Sequence, residues 1–141
     1  MSIQFFHEDV TLPSFDLKRV KTILKKYVLE NHLKLGTINY IFCSDEYLWQ
    51  LNKMFLDHDY YTDVITFDYT ENLKVSGDIY ISTERVKNNS DTFSQPYQTE
   101  LLRVISHGLL HLLKYNDKDE AEIEIMRTKE LELIQLILGK D

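Results

Sequence analysis

HGLLHLLKYND, residues 107–117, places His107 and His111 four residues apart and Asp117 six residues beyond the second histidine. From Leu101 to Leu113 most side chains are aliphatic, and at helical spacing they point in every direction. That pattern predicts a helix buried on nearly all sides, entered at Pro96 and running to about Lys114. A helix of this kind needs layers of structure around it, so the stretch sets the architecture as well as the chemistry. Its polar exceptions are ordered. Glu100, Arg103, His107, His111 and Lys114 follow one another at intervals of three, four, four and three residues, which aligns them on one stripe.

Two imidazoles one turn apart on such a stripe can converge on a single ion, but zinc sites take three or four protein ligands. If Asn116 adopts the left-handed conformation that ends many helices, the chain turns back and offers Asp117 as the third. The metalloprotease frame H-E-x-x-H-x-x-G-x-x-H has ligands at the same offsets, which here fall on His107, His111 and Asp117. Gly108 occupies the place of the glutamate that acts as general base in that frame, and Lys114 the place of its glycine. Peptide hydrolysis by that route is therefore disfavoured. Asp119 and Glu120 compete with Asp117 if the turn is longer. The plainer alternative is two unrelated histidines on an apolar helix, though burying unpartnered imidazoles costs free energy.

Outward from this helix, strands and helices interleave. A short strand over Ile3–Phe6 precedes a helix from an Asp16 cap to about His32, with Leu17, Val20, Leu24, Tyr27 and Val28 on one face. A strand over Thr37–Cys43 leads through Ser44 and Asp45 into a helix ending near Leu56. The polar stretch Asp57–Tyr61 reads as a loop, followed by strands over Val64–Tyr69 and Asp78–Ser82. Residues 82–88 read as a short helix, 89–95 as a polar loop, and a last helix runs from about Asp119 to Leu138 with Gly139 as its stop. The expected fold is α+β: a small mixed sheet of about four strands packed with helices, with the metal site on a buried helix of the C-terminal half.

The 141 residues, 43% hydrophobic and 28% charged, suit one domain over residues 1–141 that buries about 70% of its unfolded surface. No apolar run approaches the ~20 residues of a membrane span, and MSIQFFHEDVTLPSF resembles no secretory or transit signal. One cysteine, Cys43, excludes an internal disulfide framework, so a cytoplasmic protein is expected. A net charge of −7 and a pI near 5.2 do not advertise a nucleic-acid binder. The charge is uneven, however: Lys18, Arg19, Lys21, Lys25 and Lys26 crowd one helix, whereas Asp117 to Glu132 is mostly acidic.

The stretch resembles the signature H-G-x-L-H-L-x-G-Y-D-H of the YbeY family of bacterial endoribonucleases, keeping His107, Gly108, Leu110, His111, Leu112 and Tyr115. Lys114 replaces the family glycine, Asn116 its aspartate and Asp117 its third histidine. A second block similar to L-N-x-x-Y-R and T-D-V-L-S-F appears as Leu51-Asn52 with Phe55-Leu56, then as TDVITF from Thr62 to Phe67. Gly77-Asp78-Ile79 and, in the tail, Met126, Glu130 and Leu138-Gly139 also match. The resemblance implies an α+β metal-bound fold and zinc held by His107, His111 and Asp117. It also implies hydrolysis of single-stranded RNA in small-subunit ribosomal RNA maturation and ribosome quality control.

On this reading the partners are single-stranded and ribosomal RNA and the small ribosomal subunit, with neither DNA nor membrane. The ion lowers the pKa of water and polarises a phosphoryl oxygen. No general base is apparent. The family's arginine, suited to gripping phosphate, is Leu56 here, so other cations are needed. Arg103 on the histidine stripe is the first candidate unless Glu100 pairs with it, and the Lys18–Lys26 face is the second. Asp63 is a further candidate site residue. Two rivals remain: a non-haem iron enzyme with two histidines and one carboxylate, and a ribosome-associated protein with structural zinc.

Overall fold

The computed structural model describes residues 2–139. Four strands, β1 (Ile3–His7), β2 (Lys34–Cys43), β3 (Val64–Asp68) and β4 (Lys74–Ser82), form one mixed sheet in the order β1-β2-β4-β3. β1 and β4 both run parallel to β2, and β3 is antiparallel to β4 at the edge. The helices are α1 (Leu17–Glu30), α2 (Asp45–Leu56), α3 (Thr83–Thr92), α4 (Tyr97–Leu112) and α5 (Glu120–Leu138). Among the described residues no helix is long and apolar enough to cross a membrane.

The histidine helix is α4, and it is wrapped as its composition requires. Leu101, Leu102, Val104, Ile105, Leu109, Leu110 and Leu112 are buried, with the sheet, α3 and α5 packed around them. Two glycines let α4 lie close on β4. A Cβ on Gly108 would come within 2.6 Å of Ile79, and one on Gly77 within 2.7 Å of Leu112. Gly108 thus faces the sheet, so a glutamate at this position could not act as a base in the cleft. The buried Tyr40 hydroxyl donates to the Ile105 carbonyl at 2.8 Å and ties β2 to the same helix.

The expected caps of α1 and α2 are present: Asp16 accepts from the Arg19 N–H and Ser44 from the Tyr47 N–H. Asp119 and Glu122 add a reciprocal capping box on α5. Two expectations are corrected. α3 extends through the predicted polar loop to Thr92, because Ser90 is buried and Asn89 reaches Asp63 on the far side. β4 begins four residues earlier than expected, since Asn72 and Leu73 both take positive φ in a tight hairpin closed by paired bonds between Glu71 and Lys74.

Candidate metal centre

α4 ends in a Schellman motif. Lys114 takes φ +74°, its N–H bonds the His111 carbonyl at 3.0 Å, and the Tyr115 N–H bonds that of Leu110 at 3.0 Å. The left-handed residue is therefore Lys114, and not Asn116 as expected. An ion pair between the Lys114 ammonium and Asp68 on β3 accompanies this conformation, which costs a non-glycine residue about 1–2 kcal/mol. The reversal carries Asp117 back over the last turn of α4.

His107, His111 and Asp117 come together there. The two Nε2 atoms are 3.0 Å apart, and each lies 3.5 Å from Oδ2 of Asp117. Ligands of a tetrahedral zinc ion, bonded at about 2.0–2.1 Å, stand about 3.3 Å from one another. A triangle with edges of 3.0, 3.5 and 3.5 Å fits that requirement. Asp119 is withheld from the cluster, because its carboxylate caps α5 through the Glu122 N–H at 2.8 Å.

Behind the triangle stands a buried acid that the sequence reading recorded only as a family match. Glu130 on α5, 3% exposed, accepts a bond from His107 Nδ1 at 2.6 Å. An ionised carboxylate only accepts, so this partner puts the ring proton on Nδ1 and leaves the Nε2 lone pair facing His111 and Asp117. At His111, burial and repulsion from His107 push the pKa below its ordinary 6.5, outweighing the attraction of Asp117. The neutral form is the one that can ligate a metal.

Arg103 is engaged on the same side. Its guanidinium makes a forked pair with Glu100 at 2.8 and 2.7 Å, reaches Asp63 at 3.2 Å and lies 3.7 Å from Glu130. Burial alone would favour loss of its proton, but the bond to Glu100 and the three surrounding carboxylates outweigh that and raise its pKa. Arg103 thus pairs with Glu100, the alternative to its being the first phosphate candidate, and also reaches half-buried Asp63. Asp63 does reach the site, held between Arg103 and Asn89. The Lys18–Lys26 face contributes nothing to the site's walls, and Arg19 is spent on carbonyls at the end of α5.

The triangle opens on a cleft of about 860 Å³. The cleft is also lined by the end of α2 and the loop after it, including Asn52, Leu56, His58 and Tyr60, with Asp63 just before β3 and Thr66 on it. His58 and Tyr60 were not singled out in the sequence. Their one signal is a histidine two residues before a pair of tyrosines, in a short loop that follows the Leu51-Asn52 motif.

A family model described as endoribonuclease YbeY matches residues 3–137. The endoribonuclease YbeY of Parabacteroides distasonis is 48% identical over 130 residues, covering 92% of this chain and 92% of its own length. That of Cytophaga hutchinsonii is also 48% identical over 130 residues, covering 92% and 91%. The solution structure of TM1509 from Thermotoga maritima superposes with a TM-score of 0.72 at 29% identity, over 97% of this chain and 89% of that one. Matched over residues 3–137, the chain belongs to the endoribonuclease YbeY family.

Proposed function

We propose that the chain is a zinc-dependent endoribonuclease specific for single strands, acting in small-subunit ribosomal RNA maturation and ribosome quality control in the cytoplasm. The observation that carries this reading is the His107–His111–Asp117 triangle at the base of a cleft, with Glu130 orienting one imidazole. His107, His111 and Asp117 would hold the ion. When bound, it would supply Lewis acidity toward a phosphoryl oxygen and make water more acidic.

The protein's own groups do the rest. Glu130 keeps His107 in the tautomer whose Nε2 is a lone-pair donor, and Arg103 offsets part of the negative charge of buried Glu100 and Glu130 and half-buried Asp63. A wall of side chains leaves a cleft open on one side, which suits an unpaired strand whose bases can be splayed against aromatic rings. With Asp117 in place of a third imidazole, a bound ion would be less electron-poor and would acidify water less.

The test is cleavage of a labelled single-stranded RNA by the metal-stripped protein before and after addition of zinc, beside a duplex of the same sequence. The reading expects zinc-restored cleavage of the single strand, little cleavage of the duplex and none by His107→Ala. Equal activity in the stripped protein or in His107→Ala would refute it.

A further inference from the structure

A phosphodiester in this cleft meets an acidic surround, so a donor other than the metal is needed to hold its charged oxygens. The obvious cations are occupied. Arg103 is held by Glu100 and Asp63, and Lys114 by Asp68. Leu56 lines the cleft and brings no charge. Among the described residues lining the cleft beyond the metal triangle, only His58 and Lys118 carry nitrogen donors of basic side chains.

His58 is held in place in a way that Lys118 is not. α2 ends at Asp57, which takes φ +54°, and the loop after it is stapled from beneath by Asn52, 1% exposed. The His58 N–H bonds the Asn52 carbonyl at 3.1 Å, and the Asn52 side-chain amide donates to the Tyr60 carbonyl at 2.9 Å. A third staple runs from the Trp49 indole N–H to Asp59 at 2.9 Å. Above these, the His58 and Tyr60 rings stack at 5.1 Å and 22°, with the Tyr60 hydroxyl 2.9 Å from His58 Nδ1. A hydroxyl that donates to Nδ1 leaves the ring proton on Nε2, the nitrogen with no bond among the described residues.

We propose that His58 is the phosphate-gripping residue of this cleft: its Nε2–H donates to a non-bridging oxygen of the scissile phosphodiester, and Tyr60 holds the ring in the required tautomer. The inference rests on the endoribonuclease reading and deepens it. The role is binding and charge stabilisation, with no bond made or broken at His58. Lys118, beside the ligand Asp117, adds a looser positive charge to the cleft.

The experiment measures kcat and KM separately on a short single-stranded RNA with zinc-loaded native protein, His58→Ala, His58→Arg and Tyr60→Phe. Zinc content and melting temperature are taken on the same samples. His58→Ala is expected to lower kcat/KM by about tenfold or more, as loss of a charge-stabilising donor does, with zinc content and melting unchanged because the side chain is exposed. His58→Arg restores a donor and should recover to within about threefold, and Tyr60→Phe should fall between native and alanine. Native kinetics in His58→Ala, or an arginine variant as slow as alanine, would overturn this inference and leave the endoribonuclease reading standing. Loss of zinc in His58→Ala would also overturn it, by making the residue a prop of the metal centre. Absence of cleavage by the native protein would remove the functional reading and this inference with it.

Discussion

Glu130→Gln is the sharpest probe of the metal centre. The substitution keeps size and shape at a site that is 3% exposed, so packing on α5 is preserved. What changes is the bond to His107 Nδ1, now 2.6 Å long and accepted by a carboxylate. The glutamine amide is neutral, and in one of its two orientations it presents an N–H to Nδ1, which favours the tautomer with its proton on Nε2. That proton occupies the position a metal ligand must leave free. Loss of such an outer partner lowers metal affinity by about 10–100-fold, or about 1.4–2.8 kcal/mol. Arg103 keeps Glu100 and Asp63 as partners, so the apoprotein should remain folded. A competitive zinc titration against a chromophoric chelator measures the affinity, with melting of the apoprotein as control. Zinc affinity within about twofold of native, in a folded Glu130→Gln protein, would refute the claim that Glu130 orients a ligand.

Asp117→Ala should weaken zinc at least about tenfold, whereas Asp119→Ala should leave zinc unchanged and cost about 1 kcal/mol through the lost α5 cap; the same chelator titration and chemical denaturation separate the two. Arg103→Ala should destabilise the fold by about 3–5 kcal/mol in urea denaturation, since it strands Glu100, 3% exposed; a loss below about 1 kcal/mol would show that the cluster does not need the guanidinium. His111 titrates below its ordinary 6.5 in the folded chain, so between the two values the unfolded chain binds the extra proton. Stability of the metal-free protein should therefore fall as pH drops below about 6.5, and His111→Ala, followed by melting across that range, should flatten the decline.

The separation between what the sequence revealed and what it hid follows interaction range. His107 and His111 were legible because a helix fixes which residues share a face, and Asp117 because a single turn links it to them. The amphipathic spacing in α1 and the all-round apolar character of α4 likewise report their own burial. Glu130 was not legible as a site residue, since its partner lies 23 positions away on another helix. Arg103 shows the same limit in reverse. Its place on the histidine stripe was readable, but its commitment to Asp63, 40 positions upstream, was not. The end of α3 was hidden because Asn88, Asn89, Ser90 and Asp91 favour turns in isolation, and burial of Ser90 overrides that preference. Lys114 was hidden for a different reason. A lysine rarely adopts a left-handed conformation, and nothing local announces the ion pair with Asp68 that accompanies it.

The central claim is that His107, His111 and Asp117 form one zinc site. Elemental analysis of protein purified gently without added metal or chelator tests it most directly. The account predicts about one zinc per chain in the native protein and a loss of stoichiometric zinc in His111→Ala. Iron in place of zinc, or native protein that carries no metal and gains no thermal stability from added zinc, would contradict it.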